Sequence, residues 1–240
     1  MKKVFFALIL SLFLAIEAQA TENTQKYLNE CLDFIQPPEV NLYSSYGKLR
    51  YKFDKDINFL RQKTAQKFAN QNKTLSDAFL PIGLTDVRDV VDFDFNVETM
   101  GLSHGYVCVY PKSLNVRLEY SLPTIYILNT LKEGSCLYDV ALRHEKTHMQ
   151  IYIEALDYFL PILKSYIEEQ FSQIGVMVVA RGDFVEDAAT QLNQAYFSSI
   201  QKRIDVWRRE VEAEQLKLDT PENYILENRL CQEIEAQKLL

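Results

Sequence analysis

Residues 136–171 read CLYDVALRHEKTHMQIYIEALDYFLPILKSYIEEQF. At about 100° per residue, Leu137, Val140, Ala141, His144, His148, Ile151, Ala155, Tyr158, Phe159, Ile162 and Tyr166 share one stripe. That period predicts an amphipathic helix over about 136–172, with Pro161 as a kink. Gly134-Ser135 stops whatever precedes it, and Ser135 supplies an N-cap.

Upstream the pattern changes to period two. Val90-Val91-Asp92-Phe93-Asp94-Phe95-Asn96-Val97 alternates, as does Val116-Arg117-Leu118-Glu119-Tyr120, and Thr124 to Leu128 is β-branched and aromatic. Three or four strands of a mainly antiparallel sheet are expected over about 88–130, separated by turns at Gly101–Gly105 and Pro111–Ser113. Residues 21–80 read as polar and helical. Downstream, Asp183 followed by Glu186 resembles a capping box and opens a second long helix, about 183–218, ended by Asp219-Thr220-Pro221. A short helix carrying Cys231 follows, and the apolar connector Val176 to Ala180 is a candidate extra strand. With 7 Gly and 7 Pro in 240 residues, turns are few, which disfavours a sandwich or barrel of many short strands. The fold expected is α+β: an N-terminal helical region, a small antiparallel sheet on a long helix, and a helical hairpin.

The start of the chain has a different character. Lys2-Lys3, an apolar run from Val4 to Ile16, and Ala18-Gln19-Ala20 have the form of a cleavable signal peptide, residues 1–20. One domain, 21–240, would remain. Without Lys2, Lys3 and Glu17 it holds 24 basic and 32 acidic side chains, net −8, a poor match to nucleic acid or an anionic membrane surface. No second run approaches a membrane span, and a periplasmic or secreted location is expected. Four cysteines in an exported chain favour two disulfides, and the pairing favoured is Cys108–Cys136 with Cys31–Cys231.

Two of the three histidines lie in His144-Glu145-Lys146-Thr147-His148, an HExxH motif. On a helix, positions i and i+4 share a face, so both imidazoles can hold one Zn²⁺. Glu145 lies beside that face and can act as general base on a water at the metal's open position. The same pair, hydrogen-bonded to carboxylates or backbone, also reads as neutral core histidines.

This motif, following strands, resembles the zincin metallopeptidases. The resemblance spans about 88–172 and implies a zinc-dependent hydrolase of peptide bonds, with His144 and His148 as ligands and Glu145 as general base. It also implies that an edge strand of the sheet aligns a peptide substrate. The stretch from Cys108 to Tyr138 is loosely similar to a group of exported Gram-negative proteins of no known activity. The metzincin continuation is missing, because neither a Gly nor a third His follows His148. Glu154 points about 240° away from His148 on a straight helix. The gluzincin pattern, a Glu from a later helix, is the better match. Glu168 has a familiar spacing but lies about 30 Å along the same helix.

An antiparallel hairpin turning at 173–183 brings 209–213 level with 148–144. Glu210 is then the expected third ligand and Glu214 the second choice, while Asp187 and Asp205 point away. His104, at a turn, is a further candidate ligand or a surface residue. Tyr152, one turn after His148, is a candidate oxyanion partner or an interfacial aromatic. Asp86 to Asp94 reads as the polar side of a strand rather than a calcium loop. The alternative to a hydrolase is a non-enzymatic envelope protein that binds a partner through its long helices, with the histidine pair structural.

Overall fold

The computed structural model describes residues 25–70, 80–180, 182 and 184–237. The signal-peptide reading, residues 71–79 of the region read as polar and helical, and Asp183 of the expected capping box lie outside the described residues. Five helices and five strands follow in chain order: α1 (25–34), β1 (Glu39–Ser45), β2 (Arg50–Lys55), α2 (Ile57–Asn70), β3 (Gly83–Gly101), β4 (Tyr106–Leu128), α3 (Cys136–Ile174), β5 (Met177–Ala180), α4 (Phe184–Leu218) and α5 (Pro221–Gln237).

The sheet is mixed rather than antiparallel. Its centre is β4, which pairs with all four other strands. β2 runs parallel to it, with Arg50 opposite Thr124 and Tyr51 opposite Ile125. β5 runs antiparallel, from Tyr106 opposite Ala180 to Val109 opposite Met177. The expected turn at Pro111–Ser113 does not form, and β4 passes straight through it. Pro111 has no N–H for a ladder, and the β5 register stops at Val109, two residues earlier. β1 and β2 replace what reads as helix in the N-terminal region. Their own alternation, Val40/Leu42 and Tyr51/Phe53, carries the strand signal. Gly47 between them has φ +65°, and a Cβ there would lie 2.2 Å from the Tyr120 carbonyl oxygen.

Residues read as one domain group into two compact units, each drawing on three stretches of chain. The first comprises the described residues up to Asn41, those of Phe93–Val116 and those of Lys164–Lys202. Its core is Val107, Val109, Ala188, Leu192 and Tyr196, with Phe95 and Phe171 against the Tyr196 ring. The second comprises Leu42–Asp92, Arg117–Leu163 and the chain from Arg203 onward. Here Leu156, Phe159 and Leu163 of α3 are buried, as are Ile204, Trp207 and Val211 of α4. Phe159 stacks on Trp207 at 5.0 Å, and the Trp207 indole N–H donates to the Ala155 carbonyl. Each such fully buried apolar side chain contributes about 1.5–3 kcal/mol.

The disulfides differ from the expected pairing. Cys31 joins Cys108, and Cys136 joins Cys231, so each unit holds one bridge. Both expected pairs, Cys108–Cys136 and Cys31–Cys231, would have joined residues of different units. The buried face of α3 also departs from the wheel. Met149, Leu156, Leu163 and Gln170 are buried at a spacing of seven, whereas Tyr158 is exposed. A 3.5-residue period drifts off a 3.6-residue wheel within a few turns.

Candidate metal centre

The second unit carries the centre on three helices. Ser135 caps α3, with the Tyr138 N–H reaching its hydroxyl at 3.4 Å, and so fixes where the helix begins. Two turns later His144 and His148 both face inward, 4% and 3% exposed. The third group is Asp219, immediately after α4. Its place is set locally. Thr220 caps α5 through the Asn223 N–H, and the Asn223 amide donates to the carbonyls of Lys217 and Leu218. The α4–α5 corner is thereby closed by one side chain, and Asp219 projects from it.

Three atoms converge there. His144 Nε2 and His148 Nε2 are 3.2 Å apart, and Asp219 Oδ1 lies 3.2 Å and 3.1 Å from them. Among the described residues these three are the group able to hold a metal ion. The outer contacts decide what the three atoms offer. Gln215 donates its amide N–H to the His148 carbonyl at 3.1 Å, which leaves its Oε1 as acceptor for His148 Nδ1–H. With the proton held on Nδ1, the neutral ring presents a lone pair at Nε2. His144 Nδ1 is buried without a hydrogen bond, 3.4 Å from the Glu227 carboxylate, and its ring stacks on Tyr224. The Tyr224 hydroxyl donates to Asp219 Oδ1 at 2.7 Å. The His148 Nε2 lone pair and the Asp219 carboxylate thus face His144 Nε2, and either a proton on His144 Nε2 or a metal ion can join the three atoms.

The separations suit a metal. A tetrahedral shell with 2.0–2.1 Å bonds places its ligand atoms about 3.3–3.4 Å apart. Two imidazoles and one carboxylate are a ligand set typical of catalytic zinc. The electrostatics agree. Burial opposes charge on both Asp219 and His144. Even so, the neighbouring His144 and His148 rings and the Tyr224 hydroxyl hold Asp219 far below the usual carboxylate range, and contact with Asp219, Glu145 and Glu227 raises His144.

Glu145 is buried beside them. Gly83 at the start of β3 lies against it, and a Cβ on Gly83 would meet Glu145 Oε1 at 2.6 Å. The Thr85 hydroxyl is 2.7 Å from Glu145 Oε2 and 2.8 Å from the Glu145 carbonyl oxygen. One hydroxyl proton cannot serve both, so the contacts are complete when the carboxyl is protonated. Burial raises its pKa in the same sense, and the neighbouring His148, Thr85 and His144 offset this in part. A small cavity of about 60 Å³ opens beside Glu145, His148 and Asp219. A larger groove of about 430 Å³ shares Lys67 and Thr85 with it and continues along β3 past Asp86, Arg88 and Asp89.

Other sequence candidates lie elsewhere. Glu210 and Glu214 are exposed, and Glu214 pairs with Lys217. The buried row of α4 runs through Ile204, Trp207, Val211 and Gln215, a residue on from them and about 100° round the helix. Gln215 stands level with His148, where the expected hairpin put 209, because the turn between the helices is centred later in the chain. Asp219 was legible only as a helix stop. His104 belongs to the first unit, where it packs near the Tyr27 ring, and Glu168 and Glu186 also belong to that unit. Tyr152 lines the groove, and its carbonyl accepts the Tyr120 hydroxyl. Asp86 and Asp89 pair with Lys63 and Arg208, as strand residues facing water do.

Compared with known protein families, curated proteins and solved structures, the chain matches none.

Proposed function

We propose that this protein is an exported zinc-dependent hydrolase, acting on peptide bonds, with His144, His148 and Asp219 as the metal ligands and Glu145 as the general base. The observation that carries the reading is the convergence of two imidazole nitrogens and a carboxylate oxygen within 3.1–3.2 Å of one another, one imidazole held by Gln215 with its lone pair inward. A zinc ion bound there supplies Lewis acidity, lowering the pKa of a water and polarising a carbonyl. Asp219, just after the second long helix, is the carboxylate donor in place of the helical glutamate that the gluzincin-type resemblance implies, and it is neither Glu210 nor Glu214.

Glu145 has the properties of a proton acceptor. Its carboxyl is desolvated, oriented by Thr85 and open to the cavity it shares with His148. A raised pKa makes it a stronger base near neutral pH, and a cation beside it favours the ionised form that must accept the proton. Peptide chemistry is supported by β3. Among the described residues β3 pairs with β4 alone, so one strand edge is open beside the groove. An extended peptide can add to such an edge through main-chain hydrogen bonds. Two disulfides accord with export, and among the described residues no helix is long and apolar enough to cross a membrane.

The close cover by α5 favours a second reading, a structural cation in a non-enzymatic protein. One experiment separates the two. Metal analysis of the purified chain and hydrolysis of a mixed peptide library are measured for wild type and Glu145→Gln. The hydrolase reading expects one zinc per chain in both and cleavage in wild type alone. Zinc without cleavage leaves the structural reading, and no metal in wild type overturns both.

A further inference from the structure

The cavity at Glu145 has a second wall that the metal ligands and general base do not use. α2 contributes Thr64, Lys67 and Phe68 to it, opposite Glu145, His148 and Asp219. Thr64 and Lys67 are three residues apart and so share a helix face. Thr64 is only 5% exposed, and its hydroxyl has no hydrogen-bond partner among the described residues. A buried hydroxyl left unpaired costs free energy, and in a helix it could have turned back to a backbone carbonyl. It lines the cavity instead. Lys67 is half-buried and makes no ion pair among the described residues, in contrast to Lys63 one turn before it, which pairs with Asp86. Its ammonium acts electrostatically on the Glu145 carboxyl. It also lines the groove along β3, so it stands where groove and cavity meet.

Resting on the hydrolase reading, we propose that Thr64 and Lys67 form an oxyanion-binding subsite that receives the acyl oxygen of the substrate. The donor types fit. An ammonium and a hydroxyl lining a small recessed cavity stabilise developing negative charge more strongly than they would in open water. The dimensions fit as well. About 60 Å³ admits one or two water-sized groups, so an oxygen and its carbon enter while a side chain does not. The rest of the chain would lie in the groove. Substrates are therefore acyl compounds whose reacting carbonyl reaches inward past Lys67, and a carboxylate product occupies the same place.

The test uses acetate, the smallest such carboxylate with a carbon substituent, titrated into the full chain with and without zinc. Its apparent dissociation constant is read from NMR line widths. Lys67→Met keeps the aliphatic stem, and Thr64→Val keeps the shape while removing a hydroxyl that holds nothing in place. Lys48→Met, at an exposed position, matches the change in net charge. Acetate binding should weaken about tenfold or more in Lys67→Met and severalfold in Thr64→Val. Lys48→Met should match wild type, and zinc content should be the same in all four proteins. Equal acetate affinity in Lys67→Met and wild type overturns the subsite, as does an equal loss in Lys48→Met or no acetate binding by wild type. If wild type takes up no zinc, the hydrolase reading fails by itself, and the acetate titrations of the metal-free proteins still decide the subsite.

Discussion

Replacing Gln215 by Leu tests the centre through a residue that touches no metal. Gln215 and His148 are both nearly buried, and two hydrogen bonds join them: the amide N–H to the His148 carbonyl at 3.1 Å, and His148 Nδ1–H to Gln215 Oε1. Leucine nearly preserves the volume and removes both. A buried carbonyl and a buried ring N–H are left without partners, at about 1–3 kcal/mol each, so the metal-free protein should lose about 2–6 kcal/mol of stability. The ring is also released to carry its proton on Nε2, which withdraws the lone pair from Asp219 and His144. Outer contacts of this kind are worth about 10–100-fold in metal affinity, or about 1.4–2.7 kcal/mol. Gln215→Glu keeps an acceptor at Nδ1 and should hold zinc within a few-fold of wild type. Affinity is measured by competition with a chelator of known zinc constant, and stability by urea unfolding with and without metal. If the Leu variant binds zinc within about twofold of wild type, or the Glu variant is as weak as the Leu variant, the tautomer argument fails.

Asp219→Asn should lower zinc affinity by more than about 100-fold, beyond the outer-contact range, while Glu210→Ala and Glu214→Ala leave zinc content unchanged by elemental analysis. Glu145→Gln should retain zinc and lose about 100- to 10,000-fold in turnover of any peptide that wild type cleaves. Non-reducing peptide mapping should recover Cys31 with Cys108 and Cys136 with Cys231, and the double variant Cys136→Ser/Cys231→Ser should lose about 2–5 kcal/mol in urea unfolding. Alkaline pH should destabilise the fold. Burial and the nearby Asp86, Asp89, Asp219 and Glu212 push Tyr152 up to about 12 from its usual 10. Below pH 10 both folded and unfolded chains keep that proton. Above it the unfolded chain alone releases it, so stability should fall by about 2–3 kcal/mol between pH 10 and 12. Tyr152→Phe should flatten that part of the urea-midpoint profile, and a profile identical to wild type would refute the assignment.

Much of the chain was legible because its signals are local. The helix expected at 136–172 is Cys136–Ile174, and the one expected at 183–218 is Phe184–Leu218. Ser135 is the cap that its position beside Gly134 suggested. β1 and β2 were missed among polar residues, since two short alternations weigh little against a helical average. The antiparallel assignment failed for a different reason. A strand's sequence shows which face is apolar, but the neighbour and its direction are set by chain segments far away, as when Arg50 pairs with Thr124.

The pairing of the two histidines was legible in the sequence, with Glu145 beside them, because i and i+4 on a helix share a face whatever the rest of the chain does. It also pointed to a carboxylate late in the second helix as the third donor of the proposed centre. Which carboxylate was decided only by the tertiary structure. The hairpin register puts Gln215 level with His148, and the Asn223-capped corner after α4 then presents Asp219. Cysteine pairing was settled in the same way, since four thiols in one chain carry no information about which two the fold brings within bonding distance. Gly83 against Glu145, and Thr64 lining the same cavity as Glu145, belong to that class too, for they bring together segments about 60 and 80 residues apart in the chain.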